Sequence, residues 1–82
     1  MEIAIEISLY PLNANYIAPI RDFIERLNGD GRLKVITNSL STQIFGEYDE
    51  VFALLLRELR TTFQREDKSV LVMKVLGPMA AA

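Results

Sequence analysis

The sequence predicts an α+β domain in which four antiparallel strands form one sheet and two helices cover one of its faces. Three observations carry this prediction. Residues 2–10 alternate strictly between apolar and polar side chains, as a half-buried strand does. Two later stretches repeat apolar residues at helical spacing. The segments follow in the order strand, helix, strand, strand, helix, strand, and 82 residues suffice for one domain.

The first strand has one apolar face and one mixed face. Four β-branched or leucine side chains point one way, and we expect that side to meet the helices: Ile3, Ile5, Ile7 and Leu9. The alternate positions form the other face: Glu2, Ala4, Glu6, Ser8 and Tyr10. Pro11 ends the strand because it has no N–H to donate to a neighbouring strand.

The first helix is expected over residues 16–28. Its apolar stripe has helical spacing and consists of Ile17, Ile20, Phe23, Ile24 and Leu27. Asn15 is placed to cap its beginning. Gly29 and Gly31 are expected to end it because glycine readily adopts a positive φ.

A hairpin is expected next, with strands over residues 33–40 and 42–48. The connection Leu40-Ser41 is too short for any pairing but an antiparallel one. Gly46, inside the second of these strands, indicates either a bulge or the close approach of another group.

The second helix is expected to begin after Asp49, which is a suitable N-cap. Its expected buried stripe comprises Val51, Phe52, Leu55, Leu59 and Phe63, with Leu56 alongside. The last strand, residues 69–76, is apolar on both faces. This order of elements is that of the ferredoxin-like βαββαβ fold, with the first and third strands central. Residues 1–78 are predicted to form the domain, and residues 79–82 a tail.

The composition argues against several classes of function. Eleven acidic residues against nine basic ones give a net charge of −2, which disfavours nucleic-acid binding. The sequence contains no cysteine and no histidine, so we expect no metal site, cofactor or catalytic residue. No apolar run approaches the roughly 20 residues that span a bilayer, so we expect no membrane association and a cytoplasmic location.

Polar side chains gather around the hairpin and the end of the first strand. The predicted ligand-binding residues are Ser8, Tyr10, Asn38, Thr42, Gln43, Phe45 and Glu47. Gly46 would leave room beside two of them for a flat ring. Structural roles remain open for several of these residues: Asn38 can satisfy turn backbone groups, and Thr42 is an ordinary strand residue. A carboxylate such as Glu47 on a central strand either faces a wet pocket or pairs with another group.

The same segments resemble a known family. Residues Ser8-Leu9-Tyr10-Pro11-Leu12, Thr37-Asn38 and the run from Ser41 to Val51 are similar to the YkoF-like thiamine/hydroxymethylpyrimidine-binding family. The resemblance covers about residues 1–78. It implies a ferredoxin-like domain that binds thiamine or its pyrimidine portion and is not a catalyst. Some members carry two such domains in one chain, and here a homodimer would supply the second copy.

Three functions remain open at this point: a small-molecule binding protein, a homo-oligomeric structural or interaction module, and an enzyme. An enzyme would have to use a carboxylate or Lys74 as its base, and no spacing singles out such a pair. We expect a homo-oligomer, most simply a dimer, that covers the helix-free sheet face or joins sheet edges, because a strand that is apolar on both faces should be covered on both. The first and fourth strands are expected to be antiparallel neighbours. Glu6 and Lys74 would pair if both lie on the same face in register, and the alternative is that Lys74 extends into water.

Overall fold

In a computed structural model, which describes residues 1–79, the chain folds as a four-stranded antiparallel sheet with two helices. The elements are β1 (Glu2–Pro11), α1 (Ile17–Gly29), β2 (Lys34–Thr37), β3 (Thr42–Glu47), α2 (Tyr48–Arg65) and β4 (Ser69–Leu76). The strand order is β2-β3-β1-β4, so β1 and β3 are central. The predicted ferredoxin-like fold is confirmed. Of the predicted tail, residues 80–82 lie outside the described residues.

The core lies between the sheet and the helices. The four alternating side chains of β1, from Ile3 to Leu9, are at most 7% exposed, as predicted. They pack with six further residues: Phe23, Leu27, Ile44, Val51, Leu54 and Leu55. The prediction for α2 was partly wrong. Leu56 and Phe63 are 61% and 50% exposed, whereas Leu54 and Thr62 are buried. The helix turns residues 51, 54, 55 and 62 toward the sheet, and the two exposed side chains lie one position off that stripe.

Local hydrogen bonds set element boundaries that differ from the predicted ones. Asn15 does not cap α1: the N-cap is Tyr16, whose side chain makes no capping bond. Instead the Asn15 backbone N–H donates to Asn13 Oδ1 over 2.9 Å, which makes a turn. The second strand ends early because Asn38 Oδ1 accepts from the backbone N–H groups of Leu40 and Ser41, at 2.8 and 3.1 Å. That side chain replaces strand pairing with a turn.

The predicted ion pair between β1 and β4 is confirmed. Glu6 and Lys74 are direct partners in the antiparallel register, and Lys74 Nζ lies 3.9 Å from Glu6 Oε1. The Lys74 side chain is 82% exposed. An ion pair so exposed to water contributes little to stability. It does agree with the antiparallel register of β1 and β4.

Arg26 links the two helices through half-buried polar contacts. Its guanidinium donates to the Glu58 carboxylate at 2.9 Å, to the Glu58 carbonyl at 2.8 Å and to the buried Thr62 hydroxyl. Arg57 donates to Glu58 and to Asp30, and Asp30 also accepts from Arg32. The α1–α2 interface therefore depends on two carboxylates that remain charged.

The pKa values of these two carboxyl groups are both lowered. Hydrogen bonds from Arg32 and then Arg57 hold the pKa of Asp30 well below its ordinary value of 3.8. Burial alone would raise the pKa of Glu58, but hydrogen bonds from Arg57 and Arg26 outweigh it and lower the pKa below 4.5. Both groups thus favour folding only while they are ionised.

No helix among residues 1–79 is long and apolar enough to cross a membrane.

We predict that stability falls as the solution is acidified below about pH 4.5. Because the folded pKa values lie below 4.5 and 3.8, the unfolded chain takes up protons first. The stabilisation by the two carboxylates is complete above their ordinary pKa values. It is lost as the pH falls through their lower pKa values in the folded protein. Urea unfolding at pH values from 7 to 3 measures this loss. The Asp30→Asn variant should be less stable at pH 7, and its unfolding free energy should depend less steeply on pH. The exposed Glu25→Gln is the control, and equal slopes for both variants would contradict the assignment.

Candidate functional site

A cavity forms where β1 extends past β3. β3 pairs with β1 only as far as Ile7, whereas β4 continues to pair with β1 up to Pro11. Residues 8–11 therefore have a strand neighbour on one side alone, and their main-chain groups on the other side have no strand partner. The β2–β3 turn and the first half of α1 stand opposite this open edge and border a half-open cavity of about 340 Å³.

The cavity has a polar end and an apolar end. The hairpin and Ser8 supply amide and hydroxyl groups from Thr37, Asn38, Ser39, Ser41 and Thr42. Ile20, Phe23 and Ile24 of α1 supply the apolar wall, with Ile7 and Leu9 below. Tyr10 and Tyr16, each about half exposed, stand at the rim. Such a surface suits a small flat molecule with hydrogen-bonding groups along one edge.

Several polar groups at the hairpin end are already engaged. The Thr37 and Thr42 hydroxyls lie 3.1 Å apart, within hydrogen-bonding distance. Ser8 Oγ donates to the Leu40 carbonyl over 3.5 Å, and Ser41 Oγ donates to Glu6. Asn38 uses its carbonyl oxygen for two backbone N–H groups, which fixes the orientation of its amide. Among residues 1–79 its Nδ2 makes no hydrogen bond, so two donors remain for a ligand.

The seven predicted ligand-binding residues do not share one cavity. Ser8, Tyr10, Asn38 and Thr42 line it. Gln43, Phe45 and Glu47 alternate onto the helix-free face of the sheet, opposite Glu6, Ala4 and Glu2 of β1. A ligand contact by those three residues stays a prediction. Lys34 Nζ lies 5.5 Å from the centre of the Phe45 ring, which gives that aromatic face a cationic neighbour within the chain.

Glu47 has a structural role that the sequence assigned to Asp49. It is the N-cap of α2, and its Oε2 accepts from the backbone N–H groups of Asp49 and Glu50 at 2.9 and 3.1 Å. Asp49 lies within the first turn instead. A carboxylate at this end of a helix also interacts favourably with the helix dipole. The charge of Glu47 is thus used at the start of α2.

Gly46 is not beside an open space. The β1–β3 register runs past it without a bulge, so that part of the prediction was wrong. A Cβ built on Gly46 would lie 2.5 Å from Leu33 Cδ2 and 3.3 Å from Val51 Cγ2. The alternative, close approach of another group, is therefore the correct one, and the group is the apolar core rather than a ligand.

Tyr16, Thr37 and the α1 wall were not among the predicted site residues. Ile20, Phe23 and Ile24 were predicted to lie in the core by their spacing, but only Phe23 is buried there, and Ile20 and Ile24 are half-buried beside the cavity. The different lengths of β1 and β3 could have indicated the cavity, since a ten-residue strand beside a six-residue strand leaves an edge open. Among residues 1–79 no group of three or more acidic side chains could hold a metal ion.

The sequence match agrees with the fold. Residues 2–75 match the YKOF-related Family. The chain belongs to this family. No curated protein matches it.

Solved structures share the fold at low sequence identity. Protein SP2199 from Streptococcus pneumoniae is 22% identical, with a TM-score of 0.84 over 96% of this chain and 89% of that one. Hypothetical protein MJ1052 from Methanocaldococcus jannaschii is 24% identical, with a TM-score of 0.83 over 99% of this chain and 84% of that one. TM0486 from Thermotoga maritima, a protein with a proposed role in thiamine biosynthesis or salvage, is 16% identical; its TM-score is 0.74 over 95% and 85% of the two chains.

We predict that Gly46→Ala destabilises the fold by about 1–3 kcal/mol, the usual effect of overpacking a core. The added Cβ would displace Leu33 and press on Val51, whose side chain is fully buried. Gly29→Ala is the matched control, because a Cβ there meets nothing within 4 Å and lies in a helix. That control should gain up to about 1 kcal/mol. Equal unfolding free energies for the two variants would contradict the packing assignment.

Proposed function

We propose that this family member binds a small molecule, thiamine or its hydroxymethylpyrimidine portion, in the cavity between α1 and the β2–β3 turn. The cavity beside the open edge of β1 is the observation that carries the proposal. The family match and the thiamine-related role proposed for the Thermotoga structural neighbour support the choice of ligand.

The chemistry of the cavity fits an aminopyrimidine. The ring is flat and presents a donor and acceptors along one edge, and the hairpin end of the cavity offers amide and hydroxyl groups. The two rim tyrosines and the isoleucines of α1 offer apolar walls for its faces. Two or three neutral hydrogen bonds at roughly 0.5–1.5 kcal/mol each, together with burial of the ring, support binding in the micromolar range, about −8 kcal/mol.

We propose that the protein binds this ligand without transforming it. The described lining of the cavity contains serine, threonine, asparagine and tyrosine as its polar side chains. Serine and threonine hydroxyls are weak nucleophiles without an adjacent base, and neither a carboxylate nor a lysine lines the cavity to act as one.

A cytoplasmic location stays a prediction.

We also propose a homodimer that forms through β4. This edge strand is apolar on both faces, and neither helix covers it: Val70, Val72, Met73, Val75 and Leu76 are 42–65% exposed. Its free edge presents unpaired N–H and C=O groups that a second strand can bond. An antiparallel pair centred on Val72 or Met73 would keep the two Lys74 side chains apart. The same strand is the feature that favours the alternative function, a homo-oligomeric interaction module without a small ligand.

We predict that Tyr10→Ala weakens binding of hydroxymethylpyrimidine about tenfold, because the ligand would lose one aromatic wall and about 1.4 kcal/mol. Isothermal titration calorimetry measures it. Tyr48→Ala is the matched control, since that tyrosine is also about half exposed but packs on Phe52, away from the cavity. Glu47→Gln should leave affinity unchanged. Binding that is lost in Glu47→Gln and kept in Tyr10→Ala would place the site on the helix-free face instead.

We predict that the protein sediments as a dimer at micromolar concentration and that Val72→Lys sediments as a monomer. Val72 is 49% exposed in a single chain, so the substitution does not disturb the core but would bring two like charges together across an antiparallel β4–β4 contact. Ile36→Lys on β2, at the opposite edge of the sheet, is the matched control and should remain dimeric. A wild-type protein that is monomeric at this concentration would refute the dimer.

A further inference from the structure

We propose that the cavity selects an uncharged ligand: the free pyrimidine alcohol, in preference to its phosphate ester and to the cationic thiazolium-bearing vitamin. This inference rests on the proposed function and narrows its ligand. It is drawn from the charges that surround the cavity rather than from its shape.

None of the described residues that line the cavity is charged at neutral pH. The nearest acidic side chain in the hydrogen-bond network is Glu6, which accepts from Ser41 Oγ at 3.1 Å and faces the helix-free side with Lys74. Arg21 follows the wall residue Ile20, but together with Glu25 it lines an adjoining groove that shares Ile20 and Ile24 with the cavity. Ionic groups thus stay out of the cavity lining.

A phosphate ester would enter this cavity without a cationic partner. Proteins bind phosphate through arginine, lysine or clustered backbone N–H groups, and a buried anion without such partners loses its hydration uncompensated. A thiazolium would in turn find no carboxylate in the lining and only the rim tyrosines to contact. The lining therefore disfavours both charged forms.

The same lining offers an uncharged ring matched partners. Asn38 Nδ2 provides two donors, and the neighbouring hydroxyl of Ser39 can donate or accept. The main-chain edge of residues 8–11, which β3 leaves unpaired, runs beside them. The cavity lining thus offers neutral donors and acceptors from the hairpin to one edge of a ring, and Ile20 and Ile24 to its other side.

Calorimetry with three probes tests the proposal: hydroxymethylpyrimidine, its monophosphate and thiamine. We expect the free alcohol to bind most tightly, the monophosphate to bind at least tenfold more weakly, and thiamine to bind no more tightly than the alcohol. The affinity of the alcohol should not change between low and high ionic strength, because no charged pair is screened. A monophosphate or thiamine that binds more tightly than the alcohol would overturn this inference and leave the proposed function standing. A protein that binds none of the three would remove the proposed function, and this inference with it.

A gain-of-charge variant provides an independent check. Ser39 is exposed at the cavity mouth, so Ser39→Lys adds one cation there without entering the core. Both variants at this position lose the Ser39 hydroxyl, so we expect the ratio of monophosphate affinity to alcohol affinity to be at least fivefold higher in Ser39→Lys than in Ser39→Gln, in a salt-dependent way. Ser39→Gln, which is of similar length and uncharged, is the matched control and should leave the order of the three probes unchanged. No gain for the monophosphate in Ser39→Lys would mean that a factor other than charge sets the selectivity.

Discussion

The whole structure depends on β1, because one strand supplies the main face of the core, bonds two neighbours and borders the cavity. Its odd-numbered apolar residues from Ile3 to Leu9 face the helices, and its even-numbered residues up to Glu6 face away from them. It is ten residues long, whereas β3 has six. The excess length continues to pair with β4 and leaves one edge open toward α1. The strict alternation thus stabilises the domain, and the mismatch in length leaves the cavity beside β1.

Residue types that bind ligands are also the residue types that end helices and strands. Asn38 and Glu47 illustrate the two outcomes. Glu47 gives its carboxylate to two N–H groups at the start of α2, where the helix needs an acceptor. Asn38 gives only its oxygen to the turn, and its nitrogen has no hydrogen-bond partner among residues 1–79. The hydrogen bonds of each polar atom therefore show which groups are already engaged, whereas residue identity does not.

The order and faces of the strands could be predicted from the sequence because period-two alternation is a local signal that burial enforces. The pattern left the register of Glu6 with Lys74 open, and the β1–β4 pairing decides it. The cavity could be predicted only in part. Ser8, Tyr10, Asn38 and Thr42 come together because strand ends and turns meet there, while Gln43, Phe45 and Glu47 alternate to the far face. Whether a residue such as Gly46 or Ile20 faces the core or the cavity depends on what packs against it. Leu33 and Val51 fill the space beside Gly46. That information is in tertiary contacts, not in spacing.

The strand order separates the cavity from the surface on which association is proposed. In the sequence β2-β3-β1-β4, the cavity lies on the β3 side of β1, and the free edge lies beyond β4. Two copies joined edge to edge through β4 would form one continuous sheet and leave a cavity open at each end. Binding in one cavity would then change no contact at the shared edge. Two equilibria are coupled only when one ligand has different affinities for the two states of the other. Dimer formation and ligand binding would accordingly vary independently, so Val72→Lys would abolish association and leave the affinity of each cavity as it was.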